Sequence, residues 1–180
     1  TAALLVCLAT LAACQHEAPR AEAGASFAIV AQPAGVAAAN PIAVTAGLEI
    51  LRAGGSAVDA AVAVQAALGL VEPQSSGLGG GAFLLHYDAR TKRITAYDGR
   101  EAAPRGATPD MFLDEQGQPL SFADAVTSGR STSVPGAMAM LGVAPQQHGR
   151  LPWSQLFDGV ERVADEGFVV PKRLARFANG

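Results

Sequence analysis

The segment from Ala57 to Val71 most constrains what this chain can fold into. It is apolar almost throughout, and only Asp59 and Gln65 interrupt it. A helix of this length that is apolar on nearly all sides is too short to cross a membrane, and it must be buried in a protein core. The rest of the chain therefore has to supply elements that cover it.

Residues around this segment predict where helices begin and end. Asn40-Pro41 is typical of a helix N-terminus, because Asn caps the first turn and Pro loses no hydrogen bond there. We expect that helix to run to about Arg52 and to stop at Gly54-Gly55. Ser56 and Asp59 form a variant of the capping box at the start of the apolar helix.

The remaining sequence combines a hairpin with further helices. Residues Ala82 to Asp88 and Arg93 to Gly99 are predicted to be strands, since the first is rich in β-forming side chains and a polar turn joins the two. We also expect short strands at Phe27–Val30 and Gly35–Ala39, and helices at Phe122–Val126, Gly136–Gln147, Trp153–Glu166 and from Pro171 onward. This order predicts a layered α/β domain whose sheet is incomplete.

The N-terminal residues indicate targeting rather than folding. Residues 2–13 are apolar or small and carry no charge, like the hydrophobic core of a secretory signal. Leu11-Ala12-Ala13-Cys14 resembles the lipobox of bacterial lipoproteins, in which cleavage precedes the Cys and its sulfur is acylated. The alternative is a buried helix with an unmodified Cys.

The lipobox interpretation divides the chain into three parts. Residues 1–13 are expected to be a truncated signal peptide, residues 14–26 a flexible tether after lipidated Cys14, and residues 27–180 the globular domain. A lipid anchor would hold that domain at a membrane surface. The expected location is the cell envelope, in the periplasm or otherwise outside the cytoplasm, anchored to the outer membrane.

Charge and spacing argue against several other functions. The formal net charge is −3, whereas a nucleic-acid partner calls for a clustered basic surface. Two Cys cannot form a disulfide framework or a four-thiolate zinc site. His16, His86 and His148 lie far apart, so we interpret them as surface or hydrogen-bonded residues. We expect no metal and no cofactor.

The glycine-rich segment has an alternative interpretation that its context disfavours. Residues 77–82 match G-x-G-x-x-A, but a dinucleotide fingerprint follows a strand and opens a helix, and here the order is reversed. These glycines are expected to allow close backbone approach or a positive φ. Ser75 and Ser76 lack a nucleophile elbow or a nearby base, and we expect them to stabilise a loop.

Arg100 is the strongest candidate for binding a ligand. It follows a strand within Tyr97-Asp98-Gly99-Arg100-Glu101, beside a Gly that would leave room for a small molecule. A guanidinium there can hold a carboxylate through two parallel hydrogen bonds. On residue chemistry alone, a structural ion pair with Asp98 or Glu101 is the favoured alternative.

Taken together, the segments resemble the start of the large subunit of the gamma-glutamyltransferase family (gamma-glutamyl transpeptidases), which are N-terminal nucleophile hydrolases. The resemblance runs in order from about Val36 to Leu174, with mild departures at Ser56 and Ala82. The matching segments are residues 38–41, 47–55, 57–63, 71–77 and 79–81, then 97–101, 109–112, 134–136 and 151–153.

The resemblance implies a partial αββα fold and a Thr nucleophile whose own α-amine acts as base. That Thr attacks the γ-amide of glutathione-like substrates, and water or an acceptor amino acid or peptide resolves the γ-glutamyl ester. Arg100 matches the family's Arg that holds the substrate α-carboxylate. The nucleophile belongs to a C-terminal small subunit of the same precursor, so no catalytic residue is expected in this chain.

Two alternatives remain open at this stage. A related glutaryl or cephalosporin-type acylase would use the same nucleophile, and Arg100 would fit its dicarboxylic acyl group. A non-catalytic envelope lipoprotein that binds peptides would be favoured if no Thr followed downstream.

Overall fold

The computed structural model describes residues 34–179 of the 180-residue chain. The expected signal peptide, the tether with Cys14, and the Phe27–Val30 strand lie outside the described residues. In chain order the elements are α1 (Pro41–Arg52), α2 (Ala57–Val71), β1 (Ala82–Asp88), β2 (Arg93–Gly99), α3 (Phe122–Thr127), a 3-10 turn (Gly129–Ser131), α4 (Ala137–His148), a second 3-10 turn (Ser154–Leu156), α5 (Asp158–Glu166) and α6 (Lys172–Ala178).

Helix α1 begins and ends where its capping residues predict. The Asn40 side chain accepts a hydrogen bond from the Ile42 N–H at 3.0 Å, and Pro41 occupies the first turn. Just after the helix, Gly54 adopts a φ of 91°, a left-handed conformation that favours glycine. Both predicted ends of this helix are therefore confirmed.

Helix α2 forms the centre of the core, as its apolar sequence predicts. Its N-terminus is closed by a reciprocal capping box, in which Asp59 N–H donates to Ser56 Oγ and Ser56 N–H donates to Asp59 Oδ2. Helices α1, α4 and α5 and the second 3-10 turn pack around it. The core side chains are mostly small: Ala43, Ala46, Ile50, Ala60, Val62, Ala63, Ala67, Met140, Leu141 and Leu156.

The hairpin has the predicted strands and an antiparallel register from Ala82↔Gly99 to Asp88↔Arg93. Its inner face packs against α4, whereas its outer face leaves large apolar side chains exposed. At the turn, Thr91 Oγ1 donates to the Asp88 carboxylate at 2.8 Å, and so does the Arg90 N–H. These two hydrogen bonds lower the pKa of Asp88 below its ordinary value, because they stabilise the charged form.

Two secondary-structure predictions are wrong. Residues 35–39 form no strand, since the two described strands pair only with each other. The predicted helix at Trp153–Glu166 is divided, because the second 3-10 turn carries Leu156 into the core whereas no residue of α5 is fully buried. The other helices agree with prediction to within one residue, which is the ordinary uncertainty of helix ends.

The described elements confirm a mixed α/β architecture. Helices surround α2, and the hairpin lies against α4 on one side of this core. Within residues 34–179, no helix combines the length and apolar character that crossing a membrane requires.

Candidate functional site

A cavity of about 390 Å³ opens between the end of α2 and the start of the hairpin. It brings together the serine and glycine segments that the sequence singled out, and the carboxylate of Glu101 reaches it from the end of β2. Its lining residues are Gln65, Pro73, Ser75, Ser76, Gly77, Gly80, Gly81, Ala82 and Glu101.

The serine loop on one wall is held by short-range hydrogen bonds. The carbonyl oxygen of Glu72 accepts from the N–H groups of both Ser75 and Ser76, each at 3.0 Å. Ser76 Oγ in turn accepts from Gln65 Nε2 at 2.9 Å. The two serines therefore stabilise a loop, as expected, and their backbone is fixed relative to α2.

Gly81 confirms that the glycine segment allows close approach. A Cβ at this position would overlap the Glu101 carboxylate and lie 3.0 Å from the Glu101 nitrogen. Strand β1 begins at the next residue, Ala82, so the segment opens a strand rather than a helix. This order is the one that argues against a dinucleotide site.

The backbone around Arg100 is fixed by the segment that leads into α4. Ala102 and Val134 exchange two hydrogen bonds at 3.1 and 2.9 Å, and Ala137 N–H donates to Gly80 O at 3.1 Å. A Cβ at Gly136 would come within 2.7 Å of the Arg100 carbonyl oxygen. The end of β2, the glycine segment and the start of α4 thus form one fixed unit beside the cavity.

Gly99 does not have the predicted role of leaving room for a ligand. It is buried, and a Cβ there would lie 2.8 Å from Met140 Cβ and 3.0 Å from the carbonyl oxygens of Ala82 and Gly136. The space that Gly99 leaves free is filled by α4 and the segment before it, so its small size serves packing.

The Arg100 side chain forms an ion pair with Glu101, which is one of the two partners that the sequence allows and which lines the cavity. Its Nε is 3.3 Å from Glu101 Oε2, and 71% of the side chain is exposed. Asp98 instead accepts from the backbone N–H of Arg100 at 2.9 Å. Within the described part of the chain, neither terminal nitrogen of the guanidinium has a polar partner. An exposed pair of this kind is weak and leaves those nitrogens available to a carboxylate.

Glu101 is the charged cavity residue that sequence reasoning missed, and Gln65 and Pro73 also line the cavity without having been predicted to. The sequence indicates Glu101 only as an ion-pair partner, yet its carboxylate contacts both Arg100 and the backbone at Gly81. The only sequence signal was its position next to Arg100, because its contact with the glycine segment depends on how the hairpin folds.

The structure also brings together two histidines that the sequence separates. The rings of His86 and His148 stack with their centroids 3.9 Å apart, and Tyr97 meets His148 edge-on. Their buried Nδ1 and Nε2 atoms, respectively, have no hydrogen-bond partner among residues 34–179. In that same range, no group of three or more His, Cys, Asp or Glu side chains could hold a metal ion.

Comparisons with known proteins agree on one family. The family model described as Gamma-glutamyltranspeptidase matches residues 43–180. The glutathione hydrolase proenzyme of Bacillus subtilis (strain 168) is 46% identical over 140 residues, which is 78% of this chain and 24% of that protein. The chain spans about a quarter of the length of the curated relatives it matches.

Solved structures share the fold. The gamma-glutamyltranspeptidase from Pseudomonas nitroreducens complexed with L-DON superimposes with a TM-score of 0.75 at 33% identity, over 81% of this chain and 43% of that one. The cephalosporin acylase from Bacillus halodurans has a TM-score of 0.63 at 28% identity, over 84% of this chain and 30% of that one.

Proposed function

The chain belongs to the gamma-glutamyltranspeptidase family, and from this premise we propose that it is the N-terminal part of a γ-glutamyl hydrolase or transpeptidase. Its helices and hairpin form part of the αββα fold of N-terminal nucleophile hydrolases. The reaction would cleave the γ-glutamyl amide of glutathione-like compounds and pass the γ-glutamyl group to water or to an acceptor amine. The observation that carries the proposal is the exposed Arg100 guanidinium, which contacts the cavity residue Glu101 through Nε and has both terminal nitrogens free in the described part of the chain.

Arg100 would hold the α-carboxylate of the substrate. Glu101 contacts the guanidinium at Nε. This contact leaves the end of the planar group, where the two terminal nitrogens lie, for a bidentate pair with a carboxylate. The substrate carboxylate would therefore add to the existing pair rather than compete with Glu101 for the same nitrogens.

The bond-breaking group would come from the C-terminal small subunit of the same precursor. In the proposed reaction a Thr hydroxyl attacks the γ-carbonyl carbon, its own α-amine takes the hydroxyl proton and passes it to the amide nitrogen, and the amine product leaves as the ester forms. Support for a covering partner comes from the outer face of the hairpin. Phe83, Leu85 and Ile94 are 66%, 75% and 69% exposed there, more apolar surface than a strand pair ordinarily leaves to water.

The test is an assay on the complete open reading frame that contains this sequence. We expect the precursor to cleave itself and to release p-nitroaniline from a γ-glutamyl p-nitroanilide. Absence of both self-cleavage and turnover, with a Thr present downstream, would contradict the proposal. If no downstream Thr exists, the non-catalytic envelope lipoprotein becomes the better description.

An acylase acting on glutaryl-type amides is the second candidate, favoured by the likeness to the cephalosporin acylase fold. The free acid of a dicarboxylic acyl group could bind Arg100 in the same way. Glutaryl and γ-glutamyl p-nitroanilides share the distal carboxylate and differ only by the α-ammonium group of the γ-glutamyl donor, so comparing their kcat/KM values separates the two. We expect the γ-glutamyl compound to be preferred.

We also propose that Cys14 is lipidated and holds the protein outside the cytoplasm at the outer membrane. The support is the sequence pattern alone, since residues 1–33 lie outside the described part. Cys14→Ala in the complete protein is expected to abolish labelling by radioactive palmitate and to move the protein out of the membrane fraction. Cys7→Ala is the matched control, and it should leave labelling unchanged because Cys7 would leave with the signal peptide. Equal labelling of the Cys14 variant would contradict lipidation at this site.

A further inference from the structure

Glu72 is a buried carboxylate that the proposed reaction does not use. It lies directly after α2, and only 4% of the residue is exposed. The C-terminus of a helix carries partial negative charge, so an acidic side chain there is disfavoured unless other groups compensate. Compensating N–H groups contact both carboxylate oxygens of Glu72.

The partners of this carboxylate come from three different segments. Oε1 accepts from Asn40 Nδ2 at 3.2 Å, and Asn40 is itself buried at the start of α1. Oε2 accepts from Gln74 Nε2, and Arg173 Nη1 of α6 lies 3.8 Å away from the same oxygen. The Arg173 side chain is 55% exposed, so the two neutral amides are the principal partners.

Glu72 also fixes the loop that forms a wall of the cavity. Its carbonyl oxygen accepts from Ser75 and Ser76, and its carboxylate accepts from Gln74 in the same loop. We propose that Glu72 is a positioning residue, which holds the serine loop in place against the substrate cavity. This inference rests on the proposed function, because the cavity is where the γ-glutamyl donor would bind.

Both carboxylate oxygens face N–H donors, so the acceptors that this side chain supplies can be removed or kept by substitution. Leu at position 72 has a similar volume and no acceptor, so it leaves the N–H donors of Asn40 and Gln74 without this partner. Gln at position 72 keeps both contacts, because its oxygen accepts from Asn40 and its NH₂ group donates to Gln74 Oε1, which has no partner among the described residues, once the Gln74 amide turns. The cavity lining does not include Glu72, so these substitutions leave the lining unchanged.

The experiment measures kcat and KM for a γ-glutamyl p-nitroanilide in the complete, self-cleaved protein. We expect Glu72→Leu to raise KM about tenfold with kcat within about twofold, because uniform substrate binding is lost. Gln74→Ala, a milder change, should raise KM severalfold. Glu72→Gln, the conservative variant, should keep KM within about twofold of the wild type.

Asp59→Asn is the matched control, since it alters a buried carboxylate at the other end of α2, about 20 Å away. It should lower thermal stability and leave KM unchanged. An equal rise in KM for Asp59→Asn and Glu72→Leu, or the same rise for Glu72→Gln as for Glu72→Leu, would overturn the positioning role. An active wild type with unchanged KM in both Glu72→Leu and Gln74→Ala overturns this inference alone. A wild type without turnover overturns the proposed function and this inference with it.

Discussion

Replacing Asp59 with Ala is expected to lower the free energy of unfolding by about 3–5 kcal/mol, because each buried N–H left without an acceptor costs about 1–3 kcal/mol. Asp59 is completely buried at the N-terminus of α2. Its Oδ2 accepts from the N–H groups of Ser56 and Arg150, each at 2.8 Å, and from Leu151 N–H at 3.4 Å. Alanine would leave all three donors without this acceptor.

The size of the effect follows from where those donors lie. Arg150 is 91 residues from Asp59, so the carboxylate joins the first turn of α2 to the segment that follows α4. Gly149 packs directly against this carboxylate, since a Cβ there would be 2.7 Å from Asp59 Oδ1, and as a glycine it has no side chain to fill the gap that Asp59→Ala would leave. Loss of the side chain therefore removes a link between distant parts of the core as well as a helix cap.

Thermal unfolding of the complete protein measures this effect. In a domain of this size, each kcal/mol lowers the midpoint by about 2–4 °C. Asp158→Asn is the control, because Asp158 is an exposed acidic residue in the first turn of α5, and we expect a change within about 0.5 kcal/mol. Equal midpoints for Asp59→Ala and Asp158→Asn would show that the buried carboxylate is not a structural link.

The parts of the fold that local chemistry decides were predictable from the sequence. Asn40 and the Ser56–Asp59 pair mark helix starts because their side chains bind backbone groups within three residues. The hairpin strands agree with prediction residue for residue, since β-forming composition and a polar turn are both short-range signals. The division before α5 was not predictable, because it depends on the distant core that receives Leu156.

The candidate site likewise combines features that neighbouring residues predict with features that depend on distant parts of the chain. The sequence places Arg100 at the end of a strand, but it could not decide between Asp98 and Glu101 as the partner, since both are adjacent. Gly99 was misinterpreted because its neighbours, Met140 and Gly136, belong to a segment far along the chain. The stacked pair of His86 and His148 likewise forms only when α4 packs on the hairpin.

Arg100→Ala is expected to raise KM for a γ-glutamyl donor by about 30-fold or more. Removing one partner of a hydrogen-bonded charge pair at a binding site costs about 2–5 kcal/mol, and each 1.4 kcal/mol is tenfold in affinity. The substitution removes the two terminal nitrogens that would bind the carboxylate, and these have no other partner in the described part of the chain. Steady-state kinetics of the complete protein with a γ-glutamyl p-nitroanilide measures the change.

A series of variants separates the geometry of the guanidinium from its charge. Arg100→Lys keeps the charge but loses the planar fork, so we expect about a tenfold rise in KM. Glu101→Gln retains an acceptor for Nε, and its effect should be smaller, about two- to fivefold. Arg105→Ala is the control, since Arg105 is an exposed arginine in the loop after Arg100.

The order of these effects is more informative than any one of them. If Arg100 binds the α-carboxylate, KM rises most in Arg100→Ala, less in Arg100→Lys and least in Glu101→Gln. In Arg105→Ala, KM remains at the wild-type value. These differences in KM should disappear with a donor that lacks the α-carboxylate, because the guanidinium then has no substrate group to bind. An unchanged KM for Arg100→Ala would contradict its role in binding, and the exposed pair with Glu101 would then be a surface contact of little energetic consequence.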